Sequence, residues 1–243
     1  MLTGVLLDVG GTLWPDRFVL LPGATDPNVD RLVALLPHLA LDQVHDFYDR
    51  LSQAGPELRD VLQQDSLWLI QQAALGTGFE VDAALGLAIR RALASNRYGR
   101  DRLFAGVAEL LQAIREMGSR CVILSNAIWR GAHEYQEDFA ALGLAEYVDA
   151  VVSSVDVGYR KPHPRIFEAA LSAAGCAAGE CVMVGNSERN DVLPAVALGL
   201  RVLRVAIEEA PPLATAAHGV ATSLPEAAAV LRRWAQTEIE TRA

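Results

Sequence analysis

The sequence predicts an α/β fold in which helices cover both faces of a parallel sheet and a wholly helical segment is inserted after the first strand. Short apolar runs bounded by Gly, Ser, Asn or Asp recur along the chain, and helical patterns of apolar residues separate them. Strands that alternate with helices form right-handed crossovers and a parallel sheet. The alternation stops between Trp14 and Gly99, where only helical patterns occur. This break predicts the insertion.

The predicted strands are short and apolar on both faces, which is typical of strands buried between two helical layers. The first includes the β-branched Val5 and ends at Asp8. The runs span residues 2–8, 121–124, 150–152, 181–184 and 202–205, with 220–223 as a candidate sixth.

Helical periodicity predicts the elements between these strands. In residues 107–117, apolar side chains recur every three or four positions, and Gly118 follows directly. Residues 166–174 and 192–198 behave alike, with Gly175 and Gly199 just beyond them. Four further amphipathic segments predict the helices of the insertion, at residues 29–36, 41–51, 58–75 and 81–93.

Composition indicates an ordinary globular protein. The 243 residues are 51% hydrophobic and 21% charged, and the net charge of -9 argues against a nucleic-acid partner. A small anionic substrate stays compatible with this charge, because one well-placed lysine can bind it. No apolar run reaches the length of about 18 residues that a membrane span needs, and Asp8 interrupts the first run too early for a signal peptide.

Three cysteines, Cys121, Cys176 and Cys181, lie in apolar surroundings without the spacing of a metal site. The sequence therefore predicts buried, reduced thiols in a cytoplasmic protein.

Polar residues follow the predicted strands at the points where they end. Asp8 ends the first strand, Ser125 the second and Gly185-Asn186 the fourth, while Lys161 follows the third. Ligands of open parallel sheets bind beyond the carboxyl ends of the strands. We therefore expect these groups to form one active site although they are far apart in sequence.

Each group has a plausible chemical task. Asp8 can act as a nucleophile that forms a covalent intermediate, and the Gly10-Gly11 turn lets backbone N–H groups approach an anion. Ser125 and Asn126 can donate hydrogen bonds to substrate oxygens. Lys161 stabilises negative charge on Asp8 and in the transition state. A further acid, Asp191, can hold a cation or pair with this lysine.

Four ordered segments resemble those of the haloacid dehalogenase-like hydrolases, in the branch with a helical cap inserted after the first strand. The first pattern of that superfamily, Asp-x-Asp-x-Thr, is met by Asp8 and Thr12, with Gly10 in its third position. The second is Ser125 with Asn126, and the third is Lys161 followed by Pro162. The fourth, commonly Gly-Asp-Ser-x-x-Asn-Asp, runs from Gly185 to Asp191 and has Asn186 as its second residue.

The resemblance implies a Rossmann-like hydrolase core at residues 1–16 and 100–243, with a helical cap at 17–99. It implies that Asp8 is the nucleophile, that Lys161 balances charge, and that the activity is that of a phosphatase acting on a small phosphorylated metabolite. The implied substrate contacts are Gly11, Thr12, Ser125 and Asn126. The implied ligands of Mg²⁺ are Asp8, the carbonyl of Gly10, Asn186 and Asp191.

Two departures from the family pattern leave alternatives open. Gly10 lacks the carboxyl group that protonates the leaving alkoxide in the family's phosphatases, which is help worth roughly 10²–10⁴-fold. Asn186 replaces a carboxylate by an amide, which weakens a site for a hard cation. Both changes are compatible with a metal-independent 2-haloacid dehalogenase, because a halide leaves without protonation. They are also compatible with a catalytically reduced binding or regulatory protein.

An acid supplied by the cap is one replacement for the missing carboxyl, and the candidates are His45, Glu57 and Asp65. Arg17 is a candidate anion contact and, alternatively, a solvated loop residue. Trp14, Trp68 and Trp129 are candidates for the pocket wall as well as for plain packing. Glu188 and Arg189 are expected to be solvated at a helix start. The sequence is compatible with a monomer or a homodimer.

Overall fold

The computed structural model describes residues 2–15, 26–57, 63–95 and 100–242. Within these ranges, six strands form one sheet in the order β3-β2-β1-β4-β5-β6, and all neighbouring strands are parallel. The predicted α/β architecture is therefore confirmed, including the candidate sixth strand. The strands are β1 (Gly4–Leu7), β2 (Arg120–Ser125), β3 (Ala150–Ser153), β4 (Cys181–Gly185), β5 (Arg201–Val205) and β6 (Gly219–Ala221).

Helices follow the strands in the alternation that the sequence predicts. The predicted helix at 107–117 is α5, and the helix predicted at 166–174 begins two residues earlier as α8, at Pro164, and is capped by Gly175 in the left-handed region. The segment predicted at 192–198 is the short helix α9, and a π-helical turn, Glu188–Val192, directly precedes it. The helices outside the insertion are α5 (Val107–Glu116), α6 (Ala132–Ala141), α7 (Ser154–Val157), α8 (Pro164–Ala174), α9 (Leu193–Ala197) and α10 (Leu224–Arg242).

Two hydrophobic clusters cover the two faces of the sheet. One contains inward residues of β1 and β2 together with α5, α6 and α10, and it includes Trp14 and Phe139. The other packs α8 and the turn before α9 against the opposite face, around Leu6, Phe167 and Met183. Because side chains alternate across a strand, Leu6 lies on one face while Val5 and Leu7 lie on the other. A strand buried on both faces is apolar throughout, as β1 is.

The described part of the insertion contains four helices, which have a hydrophobic cluster of their own. They are α1 (Pro27–Leu35), α2 (Leu41–Glu57), α3 (Ser66–Thr77) and α4 (Ala83–Ala94). Phe47 and Ile70 are fully buried at the centre of this cluster. Each of α1, α3 and α4 begins at an aspartate whose side chain accepts a hydrogen bond from the first helical turn. The predicted segment 58–75 is helical from Ser66, and its residues 58–62 lie outside the described ones.

The prediction for the cysteines is wrong at two of the three positions. Cys176 follows the end of α8 and Cys181 begins β4, which places their Cα atoms 6.7 Å apart, and the two residues form a disulfide. Their spacing of five residues gave no sign that a helix end and a strand start meet at this point. Cys121 is free, and burial raises the pKa of its thiol to about 12. None of the described helices is long and apolar enough to cross a membrane.

Candidate active site

The predicted polar residues meet at the carboxyl edge of three adjacent strands. Asp8 follows β1, Ser125 is the last residue of β2 and Gly185 is the last residue of β4, with β1 between the other two. The chain moves outward from β1 to β3 and then crosses back to the other side of β1 as β4. Such a reversal leaves a crevice at the strand ends, where ligands of open sheets bind.

Lys161 is the centre of the site. It is the only lysine of the chain, and 4% of its surface is exposed. Its Nζ donates to Asp8 Oδ1 at 2.5 Å, to Asp191 Oδ1 at 2.6 Å and to the carbonyl of Leu124 at 3.0 Å. All three ammonium hydrogens therefore have acceptors. Two carboxylates and one ammonium leave this buried cluster with a single net negative charge.

The electrostatics follow from burial and close pairing. Burial alone would lower the pKa of the Lys161 ammonium, but Asp191 and Asp8 outweigh this effect and raise the pKa above its ordinary value. Burial raises the pKa of the Asp191 carboxyl to about 6, although the lysine acts in the opposite direction. The lysine is therefore a fixed positive charge beside Asp8.

Backbone and side-chain hydrogen bonds fix the position of Asp8. Its N–H donates to the Val184 carbonyl at 2.9 Å, and its Oδ2 accepts from the Thr12 hydroxyl at 2.9 Å. The Thr12 side chain is fully buried behind Asp8. Gly11 has a φ of 71°, and a Cβ there would come within 2.2 Å of the Asn186 amide nitrogen. The turn after β1 therefore needs glycine at position 11.

Asn126 holds the segment that carries the lysine. Its Oδ1 accepts from the Lys161 N–H at 2.7 Å, and its Nδ2 donates to the Lys161 carbonyl at 2.9 Å. This pair of bonds ties the end of β2 to the loop before α8. Asn126 stays a predicted substrate contact, and the structure adds this positioning task.

Asp191 reaches the site because the chain turns tightly after β4. Its Oδ2 accepts from the Ser187 N–H at 3.0 Å, and the Ser187 hydroxyl accepts from the Asn190 N–H at 3.2 Å. A Cβ on Gly185 would lie 2.6 Å from the Asp191 carboxyl carbon. Glycine at the end of β4 therefore lets the carboxylate approach the strand.

A cleft of about 790 Å³ opens above these groups. Asp8, Gly10, Ser125, Asn126 and Lys161 line it, and so do residues of the other site segments, including Asn186 and Asp191. Gly11 and Thr12 are not among the described lining residues, since they lie beneath the surface of the site. The structure therefore brings most of the predicted site residues to one cavity and places these two behind it.

The loop 127–130 forms part of the cleft wall, and the helical insertion holds this loop in place. Gln64 Nε2 donates to the carbonyls of Ala127 at 2.5 Å and Ile128 at 3.1 Å, and Ser66 Oγ donates to Ile128 at 2.7 Å. Arg90 donates to the Trp129 carbonyl at 2.5 Å and pairs with Glu134 at 2.9 Å. Because Trp129 itself packs against the core of the insertion, the loop that follows Ser125 is bound to both parts of the fold.

Tyr135 is a cleft residue that the sequence reasoning missed. It lies on α6, is 5% exposed, and its hydroxyl is 2.7 Å from Ser125 Oγ. No signal marked it, because a tyrosine in a helical pattern is usually core packing. Glu188 was predicted to be solvated, but it accepts hydrogen bonds from Arg204, Thr215 and the Ala216 N–H. It thereby anchors the loop after β5 beside Asn186.

The candidates from the insertion have different outcomes. His45 is exposed on α2, and Asp65 caps α3 by accepting from the Trp68 N–H at 2.9 Å. Neither is among the described lining residues of the cleft. Trp14 and Trp129 line it, whereas Trp68 is 54% exposed. Arg17 and the side chain of Glu57 lie outside the described residues.

The donor set at the edge of the sheet is made of oxygen atoms. Across the described ranges no group of three His, Cys, Asp or Glu side chains could hold a metal ion. The candidate ligands are two carboxylates, Asp8 and Asp191, with the Gly10 carbonyl and the Asn186 amide oxygen. Mg²⁺ prefers oxygen ligands and commonly takes only one or two protein carboxylates, completing its shell with waters and substrate phosphate. The residues present therefore fit a weakly held Mg²⁺.

Comparison with known proteins identifies the family. The family model described as haloacid dehalogenase-like hydrolase matches residues 2–199. The chain therefore belongs to the haloacid dehalogenase-like hydrolases, and the resemblance drawn from its four segments is confirmed.

Curated relatives bear phosphatase names. The chain is 36% identical over 104 residues to a glyceraldehyde 3-phosphate phosphatase of Methanothermobacter thermautotrophicus, a match that covers 43% of this chain and 45% of that one. It is 27% identical over 213 residues to a ribulose-1,5-bisphosphate 5-phosphatase of Halopiger xanaduensis, covering 84% of both. The first of these matches spans less than half of the relative's length. Together with the family, these names support a phosphatase-like hydrolase.

Solved structures with the same fold include a phosphatase and a dehalogenase. A phosphatase of Thermococcus onnurineus aligns with a TM-score of 0.60 at 20% identity, covering 94% of this chain and 97% of that one. A 2-haloacid dehalogenase of Pseudomonas syringae aligns with a TM-score of 0.62 at 21% identity, covering 96% and 100%. At such identity the likeness shows the fold alone.

Proposed function

We propose that this protein is a Mg²⁺-dependent phosphatase that hydrolyses a small phosphorylated metabolite through an aspartyl-phosphate at Asp8. The observation that carries the proposal is the buried contact of Lys161 Nζ with Asp8 Oδ1 at 2.5 Å, on the floor of a cleft that opens at the carboxyl edge of the sheet. A carboxylate paired with a fixed ammonium at the floor of a cleft is placed to attack an electrophilic phosphorus.

The residues of the chain divide the work in this proposal. Thr12 and the backbone hydrogen bond to Val184 hold Asp8 in place. The positive charge of Lys161 offsets the negative charge that develops in the transition state. Ser125 and Asn126 lie at the cleft wall where phosphate oxygens would rest. The insertion, residues 17–99, acts as the cap. Its Leu93 lines the cleft, and Gln64, Ser66 and Arg90 hold the loop 127–130 that forms part of the cleft wall.

The candidate ligands of Mg²⁺ are Asp8, the Gly10 carbonyl, Asn186 and Asp191. When bound, the ion supplies positive charge to the phosphate oxygens and orients the phosphoryl group. Asn186 contributes no charge, so the affinity for Mg²⁺ is expected to be lower than with a carboxylate at this position.

The experiment begins with purified protein and a panel of phosphate monoesters that contains both alkyl esters and 4-nitrophenyl phosphate, with Mg²⁺ and with EDTA. The expected result is phosphate release that EDTA abolishes and that Asp8→Asn removes. Asp46→Asn is the matched control, because Asp46 lies on the surface of α2 in an exposed pair with Arg50. Turnover retained by Asp8→Asn would refute the assignment of Asp8 as the nucleophile.

A metal-independent 2-haloacid dehalogenase is the second candidate, and one observation favours it. Lys161 already pairs with both Asp8 and Asp191, and Asn186 supplies no further carboxylate for a metal ion. The two chemistries differ in the atom that water attacks. In a phosphatase, water attacks the phosphorus of the aspartyl-phosphate, so a single turnover in H₂¹⁸O places ¹⁸O in the released phosphate. In a dehalogenase, water attacks the carboxyl carbon of the ester that Asp8 has formed with the substrate, so a single turnover places ¹⁸O in Asp8. Halide release from 2-chloropropionate that is insensitive to EDTA, with ¹⁸O in Asp8, would establish the dehalogenase.

The catalytically reduced alternative is tested by Gly10→Asp. If the native chain releases neither phosphate nor halide while Gly10→Asp does release phosphate, the native protein lacks catalytic activity but retains an anion-binding site.

A further inference from the structure

The hydroxyl groups of Ser125 and Tyr135 form a buried pair at the wall of the cleft. Their oxygens are 2.7 Å apart, and both residues line the cavity that contains Asp8. The Tyr135 ring stacks on Trp14, with centroids 6.4 Å apart and planes inclined by 23°. On the same ring, the guanidinium of Arg130 lies 5.3 Å from the centroid. The phenol is thus held in one place, next to the hydroxyl of a residue that lines the cleft.

The reaction proposed above needs an acid at this wall. When Asp8 attacks a phosphate ester of an alkyl alcohol, the leaving alkoxide is a strong base and must receive a proton. Gly10, which lines the cleft after β1, has no side chain to supply one.

The described carboxyl groups of the cleft are already committed or remote from the reacting centre. Asp8 is the nucleophile and Asp191 is paired with Lys161. Glu188 binds Arg204 and the loop after β5, and Glu209 is exposed in that loop. No histidine or cysteine is among the described residues that line the cavity.

We infer that Tyr135 supplies this proton through Ser125; the inference rests on the proposed phosphatase function. A carboxylate oxygen of Asp8 bonds to phosphorus as the bond from phosphorus to the leaving oxygen breaks, and the electron pair of that bond goes to the leaving oxygen. This oxygen takes the Ser125 hydroxyl proton while Ser125 takes the Tyr135 proton, which leaves a phenolate. Water then attacks phosphorus, the bond to Asp8 breaks, and the water proton returns through Ser125 to Tyr135.

The surroundings of the phenol suit this cycle. A cation above an aromatic ring is attracted by its negative face, and the attraction increases when the ring system carries a phenolate charge. Arg130, which is held in an ion pair with the buried Asp138, therefore favours the state in which Tyr135 has given up its proton. Ser125 is the catalytic residue in contact with the substrate, and Tyr135 acts through it as a positioning and relay residue.

The test compares leaving groups. Tyr135→Phe removes one oxygen atom and keeps the ring that packs on Trp14. An alkoxide needs the proton, whereas 4-nitrophenolate leaves without it. We expect Tyr135→Phe to lower kcat about 10²-fold for the best alkyl ester of the panel and to change kcat for 4-nitrophenyl phosphate less than threefold. Tyr147→Phe is the matched control, since Tyr147 packs near Arg115 away from the cleft and should leave both rates unchanged.

A second variant keeps the inference falsifiable if Tyr135→Phe disturbs the local packing. Gly10→Asp returns an acid to the turn after β1, and Gly10 is not among the described glycines with positive φ. In the Tyr135→Phe background, Gly10→Asp should restore alkyl ester hydrolysis at least tenfold. An equal loss on both substrates, no loss on either, or no restoration by Gly10→Asp would overturn the relay.

The outcomes also separate this inference from the proposed function. In one outcome, the native protein hydrolyses 4-nitrophenyl phosphate, Asp8→Asn does not, and neither of them turns over an alkyl ester. This result would overturn the proton relay from Tyr135 and would leave the assignment of Asp8 as the nucleophile intact. If the native protein hydrolyses neither class of ester, the proposed function itself fails.

Discussion

Replacing Lys161 by methionine should destabilise the fold more than any other single change of a charged residue in the cleft. The substitution keeps the length of the side chain and removes three hydrogen bonds of 2.5, 2.6 and 3.0 Å from the described cluster. It leaves Asp8 and Asp191 buried side by side, so the net charge of the cluster changes from one negative charge to two. Breaking a buried ion pair by removing one partner costs about 3–5 kcal/mol. We therefore expect the free energy of unfolding to fall by about 4 kcal/mol.

Urea unfolding followed by circular dichroism measures this loss at a single pH. Lys161→Met combined with Asp191→Asn should recover part of it, because the second change removes one of the two repelling charges, and the coupling between the two sites should exceed about 1 kcal/mol. Arg50→Met is the control, since its pair with Asp46 is exposed and contributes about 0.5 kcal/mol. A loss below about 1 kcal/mol for Lys161→Met would refute the reasoning that the lysine stabilises the fold through its buried pairs with Asp8 and Asp191.

Three further predictions concern the frame of the site. Glu134→Ala should lower the free energy of unfolding by about 3 kcal/mol in urea titrations, because Arg90 would lose its buried partner. Burial alone would raise the pKa of Glu134, but Arg90 and the Gly131 N–H outweigh it and hold the pKa below its ordinary value. This carboxylate therefore stabilises the native state at pH values above its unfolded pKa, and its contribution is lost as the pH falls through the lower folded pKa. When Tm is measured against pH, Glu134→Gln should therefore show a smaller decrease of Tm at acidic pH than the native chain. Gly11→Ala should lower the yield of folded protein or cost at least about 1 kcal/mol, since φ is 71° and the new Cβ would meet Asn186; native-like stability would contradict the turn geometry. Phe47→Ala should lower the free energy of unfolding by about 3–5 kcal/mol, because the ring is fully buried against Phe79 in the insertion. Urea unfolding measures this loss, and tryptophan fluorescence should show whether Trp129 becomes exposed when the insertion unfolds.

The sequence predicts the central strands of the sheet because β1 and β4 are buried on both faces and are therefore apolar throughout. Helix ends are equally local, since Gly175 at the end of α8 has the left-handed backbone that stops a helix. The meeting of Asp8 and Ser125 follows from topology, because the carboxyl ends of adjacent parallel strands share one edge. Lys161 and Asp191 also need the bonds of Asn126 and the tight turn after β4.

Contacts between distant segments leave no such pattern. Tyr135 faces Ser125 through the packing of α6 on the sheet, and its periodicity is that of any core residue. The bonds from Gln64 and Arg90 to the loop after β2 depend on how the insertion sits against the core, and hydropathy does not encode this. The disulfide between Cys176 and Cys181 likewise depends on a meeting of a helix end with a strand start.

The burial of the chain's single lysine has a practical consequence for labelling. Reagents that acylate lysine side chains will find no such amine on the surface of the folded chain, since Lys161 is enclosed by Asp8, Asp191 and Leu124. Acylation of Lys161 would therefore require a transient opening of the site, and the rate of acylation would report how often the site opens. A ligand that fills the cleft should slow that incorporation, which gives a screen for substrates that requires no turnover.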